Sequence, residues 1–247
     1  MKNLEIAKDQ LSLAEIAADK IIRLAVDSIH RQDQFTVALA GGSTPRGIYT
    51  LLATLPNRSK INWKRVFIFW GDERNVPPEN TNSNYQMAKQ TLLDQVAIPT
   101  KNIYRIEGEL DPNIAALQYE QNMRPFFSVP YDEFPSFDLI LLGLGEDGHT
   151  ASLVPETKAL DEKARWVAEN YVPKLNEWRI TFTIPLINSS ANIIIVVSGE
   201  QKADIIKDVL GGNNQSSKSP IESIRPKDGN LLWLVDQAAA SKLSPPK

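Results

Sequence analysis

Apolar and polar positions follow two rhythms along this chain. Leu13, Ile16, Ala17, Ile21, Leu24, Ala25 and Ile29 recur at three- and four-residue intervals, which predicts an amphipathic opening helix. Short, near-continuous apolar runs follow at 35–40, 65–70, 137–142, 193–197 and 231–235, each closed by glycine or a polar turn. Runs of that length without alternation predict strands buried on both faces. Weaker signals predict strands at 102–106, 166–168 and 180–183. Helical spacing returns behind Pro45, which suits a first helical turn, and again over 84–95, 114–127 and 200–210. A last helix is expected from Gln237, fraying at the SPPK end, and GGNNQSSKS (211–219) reads as a flexible loop. The chain shows no internal repeat and no long linker. Strands alternating with helices predict one α/β domain over 1–247, a mostly parallel Rossmann-like sheet with helices on both faces.

Composition narrows the picture. The 247 residues are 42% hydrophobic and 23% charged, ample for a sizeable core. A net charge of −3 argues against a nucleic-acid footprint while leaving room for a local positive pocket. The absence of cysteine excludes disulfides and thiolate metal sites and fits a reducing compartment. Acids scattered through the first thirty residues argue against a signal peptide. No run approaches the roughly 18 apolar residues of a membrane span. A cytoplasmic protein with no membrane or nucleic-acid partner is the expectation.

In folds of this kind ligands meet the turns at the carboxyl ends of strands, and four such turns are chemically loaded. In ALAGGSTPRGIY, Gly41 and Gly42 allow a tight turn, Ser43 and Thr44 add hydroxyls, and the helix start offers its positive end to an anion. No P-loop lysine follows, which argues against a nucleoside triphosphate; an ordinary Ser/Thr helix cap is the plainer alternative. In FIFWGDERNVPPENTNSNY, Asp72, Glu73 and Arg74 leave a strand directly and enter a long polar loop. Arg74 there is suited to polarising a carbonyl or holding an anion.

LILLGLGEDGHTASLVPE places His149, one of two histidines, on a glycine-rich turn after a strand. Its G-x-G-x-x-G spelling is a weak dinucleotide signal. Glu146 and Asp147 stand where a pyrophosphate needs positive charge, and Pro155 interrupts any helix. His30 reads more simply as a helix-end residue. The fourth stretch pairs Arg179, opening a strand, with Lys202 in the first turn of a helix, where a cation opposes the helix dipole unless an anion sits beside it.

GGSTPRG, WGDERNVPPENTNSNY, GLGEDGHTASLVP, RITFTIPLIN and SGEQKA occur in this order, and together they resemble the 6-phosphogluconolactonase family, similar in fold to the glucosamine-6-phosphate deaminases. The resemblance implies a phosphorylated sugar lactone as substrate, hydrolysed in the oxidative pentose phosphate pathway without a cofactor. The deaminase branch carries a glutamate just after Gly-His, where this chain has Val154, and valine cannot move a proton.

Hydrolysis of a lactone needs a water, a base and stabilisation of the developing oxyanion. Imidazole titrates near ~6.5, well matched to deprotonating water at neutral pH, so His149 is the expected general base. Arg74 is expected to polarise the carbonyl, with Asp72 and Asp147 orienting the water, Arg74 or the imidazole. Gly41, Gly42, Ser43, Thr44, Arg179 and Lys202, joined by Arg46, are expected to hold the 6-phosphate. The rivals are a glucosamine-6-phosphate deaminase, disfavoured by Val154, and a non-catalytic sugar-phosphate sensor. The sensor is disfavoured by the retained acid–base residues and by a single helix before the first expected strand. Two distant histidines make a metal-dependent hydrolase weaker still.

Overall fold

The computed structural model describes residues 3–211 and 219–243. Its main sheet has six strands, β1 (Asn3–Ala7), β2 (Phe35–Leu39), β3 (Val66–Trp70), β5 (Leu139–Leu142), β8 (Asn192–Val197) and β9 (Asn230–Asp236), in the order β1-β9-β8-β5-β2-β3. Every pairing within it is parallel. All residues of β2 and β5 are buried, and all but the first of β8. Successive strand side chains point to opposite faces, so burial without alternation means both faces are covered. The predicted α/β class and parallel sheet are present.

Among the described residues six α-helices connect the strands: α1 (Gln10–Gln32), α2 (Ser43–Ala53), α3 (Asn84–Thr91), α4 (Pro112–Phe127), α5 (Ile184–Asn188) and α6 (Ala203–Leu210). Asp9 caps α1 by accepting from the Ser12 amide at 2.8 Å, and Asp33 closes it in the left-handed region. From β2 the chain moves to β3 at one edge, while β5, β8 and β9 build in the other direction. The β2–β5 boundary is therefore the topological switch point, where a crevice opens beyond the strand ends.

A second, antiparallel sheet, ordered β4-β7-β6, lies beside this crevice. After β3 the chain passes Gly71 and enters β4 (Asp72–Arg74), which pairs with β7 (Glu177–Phe182), itself in a hairpin with β6 (Val167–Val172). Gly71 joins the two sheets, donating to Leu39 at 3.0 Å and accepting from the Phe182 amide at 2.8 Å. Residues of both sheets belong to one buried cluster.

Several expected elements differ. The strand expected at 102–106 is absent: Thr100–Asn102 forms a 3-10 turn and Ile103 makes a single bridge to Ile68. The Asn102 amide donates to the Lys64 and Val66 carbonyls at 3.1 and 3.0 Å, so a side chain covers the edge that a strand would have paired. The helix over 84–95 breaks at Leu92 (φ −135°) into a 3-10 turn. That expected over 200–210 opens with a 3-10 turn. Residues 237–243 form turns, not a helix, with the Ala239 amide donating to Asp236 at 2.8 Å. Strand β1 precedes the opening helix, contrary to the expectation of a helix first. Within GGNNQSSKS, residues 212–218 lie outside the described residues.

Candidate active site

Two buried tyrosines fix the strand ends at the crevice. The Tyr49 hydroxyl accepts from the Ala40 amide at 2.9 Å and donates to the Ala40 carbonyl at 2.8 Å. Tyr119 engages Trp70 in the same way at the end of β3. Burial pushes both phenols up from their ordinary value, so they stay neutral donors. Beyond Ala40, Gly42 (φ 103°) is the N-cap of α2, and no side chain caps this helix. Neither Ser43 nor Thr44 makes the ordinary side-chain cap contact at this helix start.

The turn after β5 is tied to itself: the Gly145 amide donates to the His149 carbonyl at 2.8 Å and the Gly148 amide to the Gly145 carbonyl at 3.0 Å. A Cβ on Gly145 would overlap the His149 ring, so this glycine is required by close approach. His149 Nδ1 lies 2.5 Å from Asp147 Oδ1, and the His149 amide donates to the same oxygen at 3.2 Å. Partial burial pushes the Asp147 carboxyl up, but the neighbouring His149 charge and hydrogen bonds outweigh it and leave the carboxyl below its ordinary value. With Nδ1 engaged by Asp147, Nε2 is the ring nitrogen that remains for a further partner.

The small sheet supplies the opposite wall. Its register sets Arg74 directly across from Arg179, with Asp72 across from Thr181. Like charges directly opposed destabilise a strand pair, and the Nε atoms of both arginines are buried without a hydrogen-bond partner among the described residues. Arg74 Nη1 donates to the Asn82 carbonyl, and Arg179 Nη2 to Glu177 at 2.5 Å. Asp72, only 7% exposed, accepts from Ser152 Oγ at 2.7 Å and from Asn84 Nδ2 at 3.3 Å. Glu73, 2% exposed, accepts from the amides of Arg74, Asn84 and Tyr85 at 2.7–2.8 Å and from Ser83 Oγ at 3.0 Å. Burial pushes the Glu73 carboxyl up, against the pull of those four donors.

Asp72, Arg74, Asp147, His149, Arg179 and Lys202 line one cleft of about 420 Å³. Gly42, Ser43 and Arg46 line an adjoining hollow of about 300 Å³, and Arg74 belongs to both. Gly41 and Thr44 line neither. A Cβ on Gly41 would collide with the Asn84 side chain as it reaches Asp72. The sequence reading missed Lys174, which lines the cleft from the β6–β7 turn, and Ser152 and Asn84, which fix Asp72. The only signal for Asn84 was its place in the polar NTNSNY run; nothing local marked Lys174 or Ser152. Among the described residues no group of three or more His, Asp, Glu or Cys side chains is arranged to hold a metal. No described helix is long and apolar enough to cross a membrane.

Fold and cleft together define the class: a doubly wound α/β protein whose switch-point cleft sets a histidine–carboxylate pair among cations. The chain belongs to the glucosamine-6-phosphate isomerases/6-phosphogluconolactonase family, whose model matches residues 8–233. It is 39% identical over 244 residues to a 6-phosphogluconolactonase of Nostoc sp., covering 98% of this chain and 99% of the relative. Among solved structures, the 6-phosphogluconolactonase from Trypanosoma cruzi is 27% identical with a TM-score of 0.89, covering 99% of this chain and 98% of the other. A monomeric glucosamine-6-phosphate deaminase shares the fold at 22% identity and a TM-score of 0.79, covering 98% of this chain and all of the other. The expected family and fold are thereby established.

Proposed function

We propose that this chain hydrolyses 6-phospho-D-glucono-1,5-lactone to 6-phosphogluconate, with His149 as general base. The observation that carries the reading is the Asp147–His149 pair, 2.5 Å apart, in one cleft with Arg74, Arg179 and Lys202. Its relatives' names support the substrate class. His149 Nε2 takes a proton from water as the water oxygen attacks the lactone carbonyl. The bond from the carbonyl carbon to the ring oxygen then breaks, the ring oxygen takes up the proton held on His149, which regenerates the base, and a carboxylic acid is released that ionises at neutral pH. Arg74 stabilises the oxyanion, which is worth most in a partly dry site. Arg179 and Lys202 hold the phosphate, assisted by the open start of α2 with Ser43 and Arg46. Asp147 orients the imidazole, and Asp72, held by Ser152 and Asn84, orients the cleft's polar groups around the water.

Val154 lines the cleft in place of the deaminase glutamate, which favours lactone hydrolysis over ring-opening chemistry. A reducing, cytoplasmic setting fits a chain without cysteine, and a net charge of −3 fits a small-molecule substrate better than a nucleic acid. Measuring acid release from the phosphorylated lactone beside ammonia release from glucosamine 6-phosphate tests the assignment. Acid release well above the spontaneous rate with no ammonia is expected. The reverse pattern would replace the lactonase with a deaminase.

A further inference from the structure

Glu73 lies between two cleft residues, and its buried carboxylate takes no direct part in the chemistry just described. It receives four hydrogen bonds, all from the two ends of one loop. The Arg74 amide comes from the strand side; the Asn84 and Tyr85 amides and Ser83 Oγ come from the start of α3. The same loop supplies the partners of the residues flanking Glu73. The Asn82 carbonyl accepts from Arg74, and Asn84 Nδ2 donates to the Asp72 carbonyl at 2.9 Å and to its carboxylate at 3.3 Å. One buried anion therefore gathers the strand and helix ends of residues 75–83. Through them it fixes a guanidinium and a carboxylate that line the cleft.

We propose that Glu73 is a positioning residue that acts through this loop to set Arg74 and Asp72, an inference that rests on the lactonase reading for its kinetic consequence. An isosteric amide cannot do the same work. Both carboxylate oxygens face backbone N–H donors, so in either orientation the Gln NH2 group opposes an amide and that hydrogen bond is lost. The loop end then relaxes, and displacement of a reacting group by about 1 Å costs on the order of 10²-fold in rate.

The test is a cycle of wild type, Glu73→Gln, Arg74→Ala and the double variant. The readouts are kcat and KM on the phosphorylated lactone, with thermal unfolding and amide hydrogen exchange over residues 82–85. Glu73→Gln is expected to lower kcat on the order of 10²-fold, to leave the pH profile of the His149 base in place, and to deprotect the Asn84 and Tyr85 amides. In the Arg74→Ala background most of its effect should vanish, because residues acting as one unit are not additive. Near-normal kcat in Glu73→Gln, or a full additional loss in the double variant, would overturn the proposal. If Glu73→Gln does not fold, Ser83→Ala removes one of the four donors and carries the same cycle at smaller amplitude. A wild type without lactonase activity would sink the functional reading alone. Unchanged exchange protection at 82–85 in Glu73→Gln would sink the positioning claim whatever the activity.

Discussion

The six-stranded and three-stranded sheets reach the cleft by different routes. The central strands of the large sheet, β2, β5 and β8, are almost wholly buried, and its candidate site residues stand only where strands end: Gly42 and Ser43 after β2, Asp147 and His149 after β5. The small sheet carries its chemistry on the strands themselves, with Asp72 and Arg74 on β4 and Arg179 on β7. The first arrangement places the histidine proposed as the base on a turn at the rim of the cleft. The second sets the backbones of Arg74 and Arg179 opposite each other by pairing register, with the Arg74 side chain held in addition by the Asn82 carbonyl. The comparison teaches that this cleft joins a scaffold offering its ends to a wall offering its face.

Substitutions on the two sides should therefore fail differently. The largest effect is expected from His149→Ala, which removes the proposed base and should lower kcat on the order of 10²–10⁴-fold with KM little changed. Gly145→Ala is next: its methyl group meets the imidazole, and kcat should fall on the order of 10²-fold through misplacement of the ring. A normal kcat in that variant would show that the tight turn does not set the base. On the other wall, Arg179→Ala removes a cation proposed to hold the phosphate by charge-assisted hydrogen bonds and should raise KM roughly ten- to hundredfold while sparing kcat more. A loss confined to kcat would move Arg179 from binding to chemistry and collapse the contrast between the sheets.

The smallest effect concerns stability in acid. Asp147 is depressed in the folded state, so the unfolded chain binds more protons at acid pH. Its contribution is therefore complete above the ordinary carboxyl value of 3.8 and is lost as pH falls through the lower folded value. Asp147→Asn should flatten this part of the stability curve below pH 3.8 and leave it unchanged near neutrality. An identical acid transition in the two proteins would remove the Asp147–His149 pair as its source.

The large sheet was legible because strands buried on both faces leave near-continuous apolar runs; β2, β3, β5, β8 and β9 all announce themselves so. Strand β1 does not, since Leu4 and Ile6 are 37% and 49% exposed and only Ala7 is fully packed. Strand β4 is not legible in the sequence because Asp-Glu-Arg carries no β signal; its pairing with β7 comes from residues over a hundred positions away. The run at 102–106 looked like a strand because Ile103 and Ile106 pack inward, though Asn102 occupies the edge they would have needed. Among site residues, His149, Arg74, Arg179 and Lys202 stand out by chemical type in or beside the strands and turns that bear them. Ser152 and Asn84 do not, because their role lies in reaching Asp72 from distant segments, and no local pattern encodes that meeting.

The most direct measurement follows freshly generated 6-phosphogluconolactone with wild-type protein and with His149→Ala, subtracting spontaneous hydrolysis. The account predicts strong acceleration by the wild type and a kcat lower on the order of 10²–10⁴-fold in the variant. Equal rates in the two proteins, or no acceleration by either, would contradict it.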